Sequence, residues 1–319
     1  VTQALGSTPT ISPRPTEPTV APLATRSAPA KGVAKCGDLL AMTKPRITAM
    51  VAFTAYVGFA LGCEQGAGAG LGFMALATVL GTALSCMSAS VFNQVLERDV
   101  DARMRRTCSR PLPCGRLSIL EAIGWGALLG ALGVSSLAVT AGALPAAIAL
   151  FTILTYVLVY TPLKPVTSVA TIIGAVPGAL PPVIGYAAAA GTLDFRAWLL
   201  FAILFLWQLP HFLAIAWLYR HDYARAGIAV LPVLDPSGES TFRQILLGCL
   251  ALLPLGMLPT MLGISGTLYL TGSLATGLAF LGSAVALVLR PTERCARAMF
   301  TASLVYLPVV YTLMLLDPG

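Results

Sequence analysis

From about residue 44 onward the chain is a succession of long apolar stretches separated by short polar segments. Nine stretches fit the length of a bilayer crossing: about 44–62, 71–96, 118–140, 144–160, 167–190, 197–218, 244–263, 267–289 and 296–316. A helix needs roughly 20 mainly apolar residues to cross the hydrocarbon layer. Inside that layer every peptide N–H and C=O must be satisfied within the protein, which selects helices over an open sheet. The pattern predicts an all-α polytopic membrane protein, a bundle of about nine transmembrane helices. Residues 1–35 are rich in Pro, Thr, Ala and Ser and carry Arg14, Arg26, Lys31 and Lys35 against the single acid Glu17. They read as a disordered basic tail ahead of a transmembrane domain at 36–319. A mitochondrial targeting segment is the alternative reading of the tail, opposed by its prolines.

Composition agrees: 57% of residues are hydrophobic and only 10% charged, which excludes an ordinary water-soluble domain. The net charge of +7 is explained by where the charges fall. With the N-terminus cytoplasmic, of the twenty basic residues only Arg196 lies on the far side, a strong positive-inside bias. The bias supports the helix count and a cytoplasmic N-terminus; the membrane expected is a bacterial inner membrane, the mitochondrial inner membrane being the alternative. It also removes the need to invoke nucleic acid. The seven cysteines are scattered and lack a C-x-x-C pair, so no disulfide framework or zinc site is indicated.

Two polar segments, 97–117 and 219–243, are too charged to be plain connectors, and four crossings separate them, so they share one face of the membrane. In the first, Asn93, Glu97 and Asp101 are spaced i, i+4, i+8, which aligns them along one side of a helix. Stacked carboxylates repel unless a cation lies between them, and oxygen ligands of this kind suit Mg²⁺ shared with substrate phosphates. Arg98, Arg103, Arg105, Arg106 and Arg110 follow, with the forked donors that match phosphate oxygens. Together they point to a diphosphate site; a charged loop binding anionic membrane lipid is the alternative.

The run from Asn93 to Pro111, with Arg106-Thr107 and Arg110-Pro111, resembles the first aspartate-rich motif of the UbiA-type intramembrane prenyltransferases. Further stretches resemble the heme O synthase branch, the protoheme IX farnesyltransferases: Thr43 to Ile47, Tyr160 to Thr167, Ile173 to Tyr186, Trp207 to Phe212 and Arg220 to Val233. The likeness extends over about residues 43–316. Two departures stand out: Glu97 replaces the commoner Asp, and Pro165 follows Lys164 where the family more often has a basic residue. Leu218 stands four before Asp222, where quinone-type relatives carry a second aspartate.

The resemblance implies transfer of a farnesyl group from farnesyl diphosphate to heme B, giving heme O, with Mg²⁺ as cofactor and heme as substrate. It implies catalytic and metal-binding roles for Asn93, Glu97, Asp101 and Asp222. Lys44, Arg46, Arg106, Arg110, Lys164 and Arg220 would bind the diphosphate. His211 and Trp207 are candidate heme contacts, with ordinary bundle packing as the other reading; His221 reads as a loop residue. The stretch with Gly174, Gly178, Gly185 and Pro177, Pro181, Pro182 suggests either close packing or a cavity widened for a macrocycle. A downstream heme A synthase is a further partner on this reading. Two other functions stay open: prenyl transfer to another aromatic acceptor such as a quinone precursor, and, in a different class, transport.

Overall fold

A computed structural model describes residues 32–63 and 71–319; the tail expected at 1–31 lies outside them. Among the described residues nine helices are long and apolar enough to cross a membrane: Pro45–Gly62, Leu71–Leu96, Ile119–Thr140, Ala143–Leu163, Ala170–Ala190, Phe195–Leu218, Glu239–Met261, Thr267–Leu289 and Glu293–Leu316. These first to ninth spans match the apolar stretches to within a few residues, because the hydrocarbon layer fixes both length and composition. Residues 32–35, assigned to the tail from composition, instead open a helix at Gly32–Met42 that precedes the first span.

The glycine-rich fifth span is broken. Its two helical pieces, Ala170–Gly178 and Pro181–Ala190, meet where Pro181 has no N–H to continue the ladder. Of the two readings of this stretch the structure supports close packing. A Cβ at Gly185 would sit 1.9 Å from the Ala55 carbonyl oxygen, and one at Gly58 1.9 Å from that of Pro182. The first and fifth spans therefore touch backbone to backbone, as small residues permit in membranes. Gly178 makes room for the Gln208 side chain of the sixth span, whose amide donates to the Ala175 carbonyl at 3.2 Å. That bond adds a second donor to a carbonyl that already accepts from the Ala179 N–H at 3.0 Å.

The fourth span contains a π-helical segment, Thr155–Tyr160. The extra residue per turn shifts the face presented by everything after it, and such segments recur at functional sites. Thr161 and Lys164 lie just beyond this shift. At the opposite face the C-terminus is latched: Asp317 accepts from the Tyr269 N–H at 2.8 Å and Ser265 bridges to Pro318.

Nine crossings place residue 108 and the C-terminus on opposite faces. With the other cysteines replaced by serine, a membrane-impermeant maleimide should label Cys108 and a cysteine substituted for Pro318 from opposite sides of sealed vesicles. Labelling from the same side would contradict the nine-span topology.

Candidate active site

The second span does not stop where its charges begin. The Glu97 N–H bonds to the Asn93 carbonyl at 2.9 Å and the Asp101 N–H to the Glu97 carbonyl at 2.7 Å. The i, i+4 ladder is thus built on a continuous helical path, and its side chains point inward: Asn93, Glu97 and Asp101 are 2, 6 and 0% exposed. Buried carboxylates need partners. Lys164, delivered by the end of the fourth span, donates to Glu97 Oε1 at 2.9 Å, and Arg110 donates to Asp101 Oδ2 at 2.6 Å. Asn93 uses both ends of its amide: Nδ2 donates to Thr161 Oγ1 at 3.2 Å, and Oδ1 accepts from Lys44 Nζ at 3.4 Å.

Six of the residues singled out from the sequence as diphosphate or metal groups (Lys44, Asn93, Glu97, Asp101, Arg110 and Lys164) thus form one cluster. Lys44 lies just outside the first span, and burial pushes its amine down to about 8; the positive charges of Arg110 and Lys164 add to this, while Glu97 and Asp101 oppose it. Arg46 is exposed on the first turn of the first span.

The second charged segment meets the first through Arg106. Its backbone N–H donates to Asp222 Oδ2 at 3.4 Å, its Nη2 donates to the Tyr223 hydroxyl at 3.4 Å, and its guanidinium lies 4.7 Å over the Tyr219 ring. Asp222 also pairs with Arg225 on the same short helix, Arg220–Ala226. Arg220 stacks 4.4 Å over Trp217 and donates to the Trp217 carbonyl. Asp222 therefore closes one charged segment onto the other. Among the described residues no three His, Cys, Asp or Glu side chains gather closely enough to form a metal site by themselves.

Trp207 and His211 lie deep between the sixth and ninth spans. The Trp207 indole N–H donates to the Ser303 carbonyl at 2.8 Å, His211 Nδ1 lies 2.7 Å from Ser303 Oγ, and the two rings stack with centroids 4.6 Å apart. Phe300 covers the imidazole from the same helix, at 5.3 Å. The structure brings both residues into helix packing rather than into the carboxylate cluster.

A metal fits the cluster on one local ground. Asp101 Oδ1 is buried with no hydrogen-bond partner, while the other oxygen is held by Arg110. A buried anionic oxygen left unbonded is unfavourable, and a hard divalent cation is the natural partner for oxygen donors of this kind. Thr161, Tyr223 and Gln94 escaped the reading of the sequence; Thr161 depends on the π-helical shift, which no local pattern announces.

A helical membrane bundle with paired carboxylates and basic arms at one end defines the class, and comparison bears this out. The profile described as the UbiA prenyltransferase family matches residues 51–305, and the chain belongs to that family. It is 47% identical over 290 residues to the protoheme IX farnesyltransferase of Solibacter usitatus (strain Ellin6076), covering 88% of this chain and 99% of that one. The fold is shared with a structure described for digeranylgeranylglyceryl phosphate synthase, with TM-score 0.73, 17% identity and coverage of 89% and 98% of the two chains. It is shared also with a UbiA homolog from Archaeoglobus fulgidus solved with DMAPP and Mg²⁺, with TM-score 0.58, 16% identity and coverage of 85% and 99%. The chain is a prenyl-transferring enzyme.

The Lys164–Glu97 pair gives a stability test. In metal-free protein Lys164→Met should cost about 3–5 kcal/mol, because it strands a buried carboxylate, and adding Glu97→Gln should recover most of the loss. Unfolding in detergent with graded denaturant measures both. Equal losses in the single and double variants would contradict the pairing.

Proposed function

We propose that the enzyme is a protoheme IX farnesyltransferase, converting heme B, farnesyl diphosphate and water into heme O and diphosphate. The observation that carries the chemistry is the buried Asn93–Glu97–Asp101 face, with its unbonded Asp101 oxygen and its flanking cations. The acceptor follows from the similarity to relatives of that name. The basic bias of the charged face supports a cytoplasmic placement in a bacterial inner membrane.

The difficult step is breaking the allylic C–O bond of farnesyl diphosphate. Glu97 and Asp101, with Asn93, would hold Mg²⁺, and the ion would supply positive charge against that developing on the leaving diphosphate. Lys164 and Arg110, which pair with the two carboxylates, are the cations nearest the site and would supply donors to phosphate oxygens. Lys44 approaches from the first span, and Arg106 reaches in from a loop that Asp222 holds in place; Arg220 extends the basic rim. Preorganised charges of this kind act only as negative charge builds up, and so lower the barrier. The terminal vinyl carbon of heme forms the new C–C bond to the farnesyl cation. Water adds its hydroxyl to the adjacent carbon and releases a proton. Apolar walls keep water from capturing the farnesyl cation first.

Charge and reach are separable at the ladder. Asp101→Asn and Glu97→Gln, which keep size and remove charge, should each lower turnover by a factor on the order of 10² or more. Glu97→Asp keeps the charge and should retain substantial activity, with added Mg²⁺ restoring part of any deficit. Near-normal heme O formation by both amide variants, at normal protein levels, would exclude the metal-diphosphate role; it would favour a loop that only binds anionic lipid.

A further inference from the structure

Among the described residues, Lys44 is the one non-glycine with a positive φ, at φ 51° and ψ 64°. A side chain in this left-handed conformation is strained, and glycine would avoid the strain. Pro45 follows and adds its own restriction on the residue before it. The strain is concentrated in the elbow between the Gly32–Met42 helix and the first span, and the strained residue is the one whose amine reaches Asn93. Strain of this kind persists only where the surroundings hold it in place.

The hold is visible. Gln94, 3% exposed, donates from Nε2 to the Met42 carbonyl at 2.6 Å, and the same amide touches the Ser90 carbonyl at 3.2 Å. Thr48 Oγ1 donates to the Thr43 carbonyl at 2.8 Å, and Thr43 Oγ1 to the Leu40 carbonyl at 2.7 Å. Successive residues of a helix point about 100° apart. Asn93 therefore faces the carboxylates while its neighbour Gln94 turns aside to grip the elbow. A second grip lies one turn earlier: Asp38 accepts from Arg116 Nε at 3.0 and 3.1 Å, and Arg116 Nη2 donates to the Ser109 carbonyl beside Arg110.

We infer that Gln94 is a positioning residue for prenyl diphosphate: by clamping the Met42 carbonyl it fixes the left-handed turn that aims Lys44 at the leaving diphosphate. The inference rests on the reading of Lys44 as a diphosphate ligand. Gln94 itself touches no substrate. Its amide does for the elbow what the adjacent Asn93 does for the metal, and one turn of the second span thus places both.

The test is a double-mutant cycle on binding of farnesyl thiodiphosphate, a slowly ionising analogue, to the full-length protein in Mg²⁺, with steady-state kinetics alongside. Lys44→Met should weaken binding on the order of tenfold, the scale of one charge-assisted contact. Gln94→Met, similar in size but without the donor, should weaken it comparably. The double variant should be no weaker than Lys44→Met alone, since coupled residues are non-additive. KM for farnesyl diphosphate should rise with both single variants while KM for heme stays put. Multiplying effects in the double variant, or a parallel rise in both KM values, would overturn the positioning role and leave the Lys44 contact standing. Unchanged binding by Lys44→Met would instead remove the diphosphate reading of Lys44, and the inference with it. Should Gln94→Met not fold, Gln94→Asn enters the same cycle: it keeps the amide but shortens its reach, and the same non-additivity with Lys44→Met is required.

Discussion

Two carboxylates buried at the end of the second span govern what surrounds them. Glu97 and Asp101 are nearly inaccessible, and a buried carboxylate with no cation at hand is strongly unfavourable. Lys164 and Arg110 answer that demand, one from the fourth span and one from the loop that follows the ladder. Each pairing fixes the course of a whole segment. Lys164 reaches its place through the π-helical turn at Thr155–Tyr160, and Arg110 folds the loop after the second span back over its own helix end. On the proposed function the same requirement would make the site receptive: a divalent cation held by the carboxylates would leave the two basic side chains available to an anionic ligand.

The bundle supplies rigidity under this end. The first and fifth spans lie in backbone contact at Gly58 and Gly185, so the helix that follows Lys44 has little freedom to slide. The second span holds the elbow ahead of the first through Asn93 and Gln94, which reach Lys44 and Met42. Precise placement matters because a charge displaced by about 1 Å loses much of its effect on the transition state. Elsewhere the surface relaxes into grooves suited to lipid, such as the 540 Å³ groove between the first and second spans walled by Phe53, Tyr56 and Leu76.

Much of this was legible in the sequence, for physical reasons that also mark where legibility ends. Span number and position follow from hydrocarbon thickness, and the Asn93–Glu97–Asp101 face follows from helical periodicity, so both were readable from local pattern. Asp222 was read as a metal ligand from its charge and its family position. Its fold context joins it to Arg106 and Arg225, a choice made by loop geometry. Trp207 and His211, candidates for heme contact or for ordinary packing, meet Ser303, nearly a hundred residues on, in a contact that no local pattern encodes. Gln94 went unnoticed because it lies off the ladder's face and acts on a backbone carbonyl rather than on another charge.

On the proposed function these charges ionise farnesyl diphosphate so that a heme vinyl group captures the prenyl chain. Membranes containing the protein, supplied with heme B, farnesyl diphosphate and Mg²⁺, should yield heme bearing one farnesyl group and one added hydroxyl, read by liquid chromatography and mass spectrometry. Unaltered heme beside intact farnesyl diphosphate, from folded protein, would contradict the claim, as would farnesylation of an added quinone precursor in place of heme.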